Sequence, residues 1–164
     1  MAPLVSEDVA YRPVCAGDAA TLAVLIRTAF THQEVAVDPP ASALGVSEAI
    51  IAEAIRGGGG AVAMDGQLPV GTLLWAEAEG GLYLSRLAVL PAWRGRGIAG
   101  ALLAAAERAA LVAGLPRLHL GTRLALAGNR RLFAAHGFVE IARHTHPGYL
   151  EPTWVSMEKR LDGE

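Results

Sequence analysis

At 164 residues, 52% hydrophobic and 18% charged, the chain suits one globular domain over 1–164 that buries a full core. A formal net charge of -2 excludes a generally basic binder of nucleic acid or of a membrane surface, because either partner demands a broad positive face; any anion site must be local. A lone cysteine, Cys15, excludes an intrachain disulfide and a cysteine-rich metal site, and fits a reducing, cytoplasmic setting.

The opening stretch MAPLVSEDVAYRP carries Glu7 and Asp8 and no basic run ahead of an apolar one, so no signal peptide is expected. Val9 to Val14 predicts a first strand. Asp18 predicts the cap of a helix whose Leu22, Leu25, Ile26 and Phe30 recur at helical spacing. Thr31 to Val46 has a proline pair and no sustained period, and predicts a loop or short helix. Ser47 then caps a second helix, with Ile50, Ile51, Ala54 and Ile55 as its expected buried stripe. GAVAM and LPVGTLLWAEA flank Asp65-Gly66, a turn dipeptide that predicts an antiparallel hairpin, and LYLSRLAVL predicts a third strand.

Ile98 to about Val112 predicts a core helix stopped by Gly114 and Pro116. Its apolar run is interrupted by Glu107 and Arg108 and falls short of the ~20 residues that cross a bilayer. RLHLGTR predicts a strand, NRRLFAAHG a helix ended by Gly137, and FVEIARH and TWVSMEKRL two closing strands. The order specifies an α/β (α+β) layer whose central helix crosses over between two strands.

The stretch LPAWRGRGIAGALL gathers charge and glycine between an apolar strand and an apolar helix. A glycine-bearing loop entering a helix presents unpaired backbone N–H groups at the positive end of the helix dipole, which is an anion site. Gly95 and Gly97 let a large anion approach the main chain, and Ala99 and Gly100 keep the first turn open. Arg94 and Arg96 can add charge-assisted bonds to phosphate oxygens. A P-loop is disfavoured, because Lys159 is the only lysine in the chain and stands far from the glycines. Gly95, Gly97 and Gly100 satisfy G-x-G-x-x-G, yet they lie past mid-chain and no acid follows on the next strand, so dinucleotide binding ranks as an alternative only.

LAVLPAWRGRGIAGALL resembles the hallmark of the GNAT superfamily of acetyl-CoA-dependent N-acetyltransferases: a strand ending in V-x-P, then Arg or Gln-x-x-Gly-x-Gly or Ala. Val89, Pro91, Arg94, Gly97 and Ala99 fall on that pattern. GNRRLFAAHGFVE is similar to the family's second cofactor-contacting segment, ending in Gly137-Phe138, and the order of elements agrees along nearly the whole chain. The resemblance implies a central mixed, mostly antiparallel sheet of about six to seven strands flanked by about four helices. It implies acetyl-CoA as coenzyme and direct attack by a primary amine of a small molecule or protein in a ternary complex, with no metal; the charge balance above leaves nucleic acid and membrane out of the expected partners. Some members pair through their closing strands, so a homodimer is compatible.

Coenzyme contacts implied by the resemblance are the main chain of Leu87, Ala88 and Val89, the run Arg94, Gly95, Arg96, Gly97, Ile98, Ala99 and Gly100, and Asn129 and Phe133. Val89 N–H is the implied donor to the thioester oxygen, where charge develops. Many members offer a Tyr to the departing thiolate where this chain has Phe133, so Tyr149, in HPGYLEPT, is the substitute donor; a thiol's pKa of ~8.5 also makes unassisted departure tolerable. Glu34 and, through water, Ser85 are the candidate bases. The alternative readings are an acyl-CoA-binding protein without turnover and an NAD(P)-binding protein. His144 and His146 read as part of a turn beside the site, not a metal pair, since no third ligand is evident. Trp75, Trp93 and Trp154 read as core or rim residues, and Arg130 and Arg131 as a solvated helix face, with the coenzyme's 3'-phosphate as the alternative partner.

Overall fold

A computed structural model describes residues 9–32 and 37–162 of the chain. The strands β1 (Val9–Pro13), β2 (Gly59–Asp65), β3 (Leu68–Ala78), β4 (Gly81–Val89), β5 (Arg117–Arg123), β6 (Val139–His144) and β7 (Trp154–Arg160) form one seven-stranded sheet, ordered β1-β2-β3-β4-β5-β7-β6. Every pairing is antiparallel except that of β4 with β5. Glu79 (φ 52°) and Gly80 (φ 75°) turn β3 into β4 with positive angles that match the twist of the flanking strands. The preceding hairpin turns one residue later than its dipeptide suggests, because Asp65 still pairs with Leu68 and leaves Gly66 and Gln67 as the loop.

The helices are α1 (Ala19–Thr31), α2 (Glu48–Gly57), α3 (Ile98–Val112) and α4 (Ala127–Ala135). Neighbours on β2 and β3 alternate between two clusters, Ala61, Ala63 and Leu73 in one, Val62 and Leu74 in the other, so the clusters occupy opposite faces of the sheet. On the first face α3, the crossover between β4 and parallel β5, buries Ile98, Leu102, Leu103, Ala106 and Ala110. On the second face α1 and α2 bury Leu22, Leu25, Ile26 and Ile51. Among the described residues no helix is long and apolar enough to cross a membrane.

Three local expectations are corrected. The stripe of α2 is narrower than its spacing suggests: Ile51 is fully buried, whereas Ile50, one step round the helix, is 47% exposed, because the sheet covers only one side of this short helix. Asp18 makes no side-chain cap on α1. Its carboxylate instead accepts from Arg12 Nη1 and Nη2, both at 2.9 Å, and from the Cys15 amide at 2.8 Å, which ties β1 to the entry of α1. Also, α4 starts at Ala127, two residues ahead of Asn129.

The Arg12 guanidinium, then the Cys15 amide, hold the Asp18 carboxyl at about 2, below its ordinary 3.8, against an opposing push from burial. A depressed folded-state pKa contributes stability that is full above the unfolded value and lost as pH falls through the folded one. Asp18→Asn should therefore lower the urea-unfolding free energy by about 1–2 kcal/mol at about pH 6, a figure kept below the full shift because solvent screens the half-exposed Arg12. The gap should roughly halve by about pH 3. A difference that stays constant over this range would show that the carboxylate's charge is not what stabilises the turn.

Candidate active site

β4 and β5 pair at Leu82 with Leu118 and at Tyr83 with His119, and then part. The cause lies in β4. Arg86 takes φ 59°, and the register against β3 slips between Thr72 and Leu74; the extra residue bends the strand away from its parallel neighbour. Beyond this bulge the Leu90 amide donates to Val70 O at 2.9 Å. Ala88 with Thr72 is therefore a hydrogen-bonded pair and Val89 with Gly71 is not. The Ala88 amide is spent on β3, whereas the amide and carbonyl of Val89 point away from β3. In keeping with this, Val89 O accepts Arg94 Nε at 3.1 Å. The parting opens a cleft of about 1330 Å3, larger than one small ligand fills, which runs through the sheet from the α3 and α4 side to the α1 and α2 side.

At the α3 end, Gly95 (φ 77°) and Gly97 (φ 84°) adopt angles that disfavour any side chain, and nothing lies within 4 Å of where their Cβ atoms would stand. Ala101 N is the first amide of α3 to find a helical acceptor, Gly97 O at 3.1 Å. The N–H groups of Gly95 to Gly100 meet no acceptor among the described residues, so they form a concave set of donors at the positive end of the helix. Gly100 differs from its expected role: a Cβ there would come 2.8 Å from His136 Cε1, so its smallness accommodates the His136 ring rather than leaving open space.

The two arginines of this loop serve different ends. Arg94 donates Nη2 to Ala29 O at 2.8 Å and Nη1 to His32 O at 3.0 Å, besides its bond to Val89 O. It thereby satisfies a terminal carbonyl of α1 with a cation, which the helix dipole favours, and ties the glycine loop to the opposite side of the sheet. Arg96 lies over the Trp93 ring, 4.9 Å from its centroid.

On the α4 side the cleft is lined by Asn129, Arg131 and Phe133. Phe133 is 7% exposed and packs edge-on against Phe138. Arg130 turns away, donating to Leu124 O at 3.1 Å and to Glu140 at 3.3 Å. On the other side the lining comes from Tyr83, Ser85, Arg86, Arg123, His146 and Trp154, and from the segment Pro39 to Ala43. Arg86 Nη1 donates to Ser42 Oγ at 3.3 Å, and Arg123 donates to Pro39 O and, at 3.2 Å, to Pro40 O. This segment lies in the irregular stretch Thr31 to Val46, whereas neither arginine stands out in the sequence; the available signal for them is a charge inside each of two apolar strands.

Ser85 lines the cleft, and Glu34 lies outside the described residues. Tyr149 is not among the lining residues; its hydroxyl donates to Asp38 Oδ1 at 2.6 Å, a bond that holds the phenol above its ordinary pKa. His144 stacks on Trp154 at 3.9 Å between centroids, and His146 pairs with Thr153. Trp75 packs against the core, and Cys15 is exposed.

The family model of the acetyltransferase (GNAT) family matches residues 30–138, and the chain belongs to that family. No curated protein matches it in sequence. Among solved structures it is similar to yncA from Salmonella typhimurium with its cofactor acetyl-CoA, at 18% identity and TM-score 0.72 over 95% of each chain. It is also similar to the PaiA N-acetyltransferase of Thermoplasma acidophilum in complex with coenzyme A, at 16% identity and TM-score 0.76 over 93% of this chain and 98% of that one. A GNAT-family acetyltransferase from Desulfovibrio desulfuricans matches at 20% identity and TM-score 0.76, again over 93% and 98%. At these identities the likeness establishes the fold.

Removing the Arg94 clamp should loosen both elements that it joins. Arg94→Ala is expected to cost about 1–2 kcal/mol in urea unfolding and to speed amide exchange together at residues 29–32 and at Trp93 and Arg94, whose amides bond Leu90 O and Pro91 O at the start of the loop. Faster exchange in the glycine loop alone would mean that the two are not coupled through this side chain.

Proposed function

We propose that the chain transfers the acetyl group of acetyl-CoA to a primary amine of a small molecule or protein, by direct attack in a ternary complex. The observation that carries this reading is the set of amides at Gly95 to Gly100 without an acceptor among the described residues, at one mouth of a gap between two parallel strands. Those donors suit a diphosphate, since an anion there meets several N–H groups, the helix dipole and no Cβ. Arg131, which lines the same end, suits the coenzyme's 3'-phosphate, while Arg96 stands beside the loop on Trp93. Asn129 and Phe133 form the α4 wall, and Leu87, Ala88 and Val89 the β4 wall, along which the pantetheine arm would run. The coenzyme supplies an acetyl group activated as a thioester.

Val89 N–H, which does not pair with β3, would donate to the acetyl carbonyl oxygen as negative charge gathers there, a role worth about 3 kcal/mol when one such donor is removed. A carbon–nitrogen bond forms as the carbon–sulfur bond breaks. The amine's proton leaves through water at Ser85, and the thiolate takes a proton from solvent. Tyr149 enters this reading as the residue that holds Asp38, and with it the segment 38–43, rather than as the acid. The exposed lone thiol of Cys15 is in keeping with a reducing cytoplasm, and Val139 and Ile141, exposed on the edge strand β6, are the surface a homodimer through the closing strands would use.

Gly97→Trp tests the cradle. It should weaken acetyl-CoA binding, measured by calorimetry, at least about tenfold, with a stability cost on the order of 1 kcal/mol from the forced positive φ. Unchanged affinity would remove the loop from the phosphate site. Tight binding of acetyl-CoA without thiol release for any amine would leave a coenzyme-binding protein instead of an enzyme.

A further inference from the structure

Taking the cleft as an acetyl-transfer site, we infer that its acceptor is a small amine with a carboxylate beside the reacting nitrogen, gripped by Arg86 and Arg123. The charge of the lining is one-sided. Arg86, Arg94, Arg123 and Arg131 line the cleft, and no aspartate or glutamate does among the described residues. The coenzyme's phosphates match the cations at the α3 and α4 end. They cannot reach through the sheet to Arg86 and Arg123, which stand on the opposite side against the segment 39–42.

Both guanidinium groups converge on that segment, and both are held there by neutral acceptors: Ser42 Oγ for Arg86, Pro39 O and Pro40 O for Arg123. Their remaining N–H groups meet no acceptor among the described residues. Burial lowers the Arg123 pKa, and the nearby Tyr149 and Asp38 push the other way, so the guanidinium is a partly buried cation. Arg86 sits at the one position of β4 with a positive φ, the strained residue of the bulge that opens the cleft. Strain at a side chain facing a cavity is where a binding role concentrates.

This field selects among amines. A polyamine or any acceptor rich in ammonium groups meets cations, and no carboxylate among the described residues lines the cleft to receive it. An amine with its own carboxylate pairs that group with the arginines, and the same cations depress the pKa of its ammonium, which favours the nucleophilic free base. The walls limit size as well. Trp154 leans over Gly121, whose Cβ position is 3.1 Å from its ring, with the Tyr83 hydroxyl 3.8 Å from the same point, so the pocket floor is aromatic and close.

The test compares α-amino acids with their amides, with the corresponding decarboxylated amines and with a peptide amino terminus, by thiol release with acetyl-CoA in excess. A preference of at least about tenfold in kcat/KM for the free amino acids supports the inference, since a site built for an oxyanion rejects analogues that lack it. Equal rates for amino acids and amides, or a preference for the peptide or a polyamine, overturn it. Arg86→Gln and Arg123→Gln should each raise the acceptor KM at least about tenfold while acetyl-CoA affinity by calorimetry stays within about twofold. Unchanged acceptor KM in both variants also overturns it. Where a glutamine variant loses acetyl-CoA binding through misfolding, Arg86→Lys and Arg123→Lys carry the same comparison. If no amine is acetylated, the transfer reading itself fails, and calorimetry with CoA decides the acceptor separately. N-acetyl amino acids binding tighter than N-acetyl amino amides support the inference, and equal binding overturns it.

Discussion

The parting of β4 from β5 is the constraint on which the rest of the molecule depends. A parallel pair normally continues for the length of its strands, because each unpaired N–H and C=O left behind costs free energy. Here pairing stops after two positions, and the bulge at Arg86 turns the far half of β4 toward β3 and away from its neighbour. The backbone groups thus released, Val89 above all, become useful only if something else pairs with them. A cleft through the centre of a sheet is a costly feature to build, and its lining explains the outlay: one end carries helix-terminal amides that meet no acceptor among the described residues, the other a pair of arginines.

Arg94 links those two ends. Its side chain reaches 62 and 65 residues back along the chain to His32 O and Ala29 O, while its backbone belongs to the glycine loop. The C-terminus of α1, negative by its dipole, thus faces a cation whose main chain is part of the positive N-terminal approach to α3. Any shift of α1 is felt by the loop. Since α1 also packs in one buried cluster with Ala43, at the end of the segment that Arg86 and Arg123 contact, the anion end and the Arg86–Arg123 end share one support.

Net charge conceals this arrangement. The chain as a whole is slightly acidic, at -2, yet the lining of its cleft is cationic among the described residues. Acidic side chains elsewhere are engaged in pairs such as Asp18 with Arg12, Glu158 with Arg117 and Glu107 with Lys159. Local concentration of one sign in a low-dielectric cleft, not the overall balance, sets which ligands are drawn in.

The sequence by itself determined the local features: the alternation that makes strands, the helical spacing of Leu22, Leu25 and Ile26, the turn at Gly66, and the glycine loop ahead of α3. Each of these follows from side-chain period or from a φ that only glycine adopts freely, and needs no distant partner. The resemblance carried by Val89, Pro91, Arg94, Gly97 and Ala99 was legible for the same reason. Tertiary structure alone decided the bulge at Arg86, the exposure of Ile50, the use of Asp18 by Arg12, the clamp of Arg94 and the meeting of Arg86 and Arg123 over residues 39–42. These depend on which strands lie side by side and on contacts spanning up to 84 residues, and a guanidinium on a flexible stem takes its partner from the space around it, not from its neighbours in the chain.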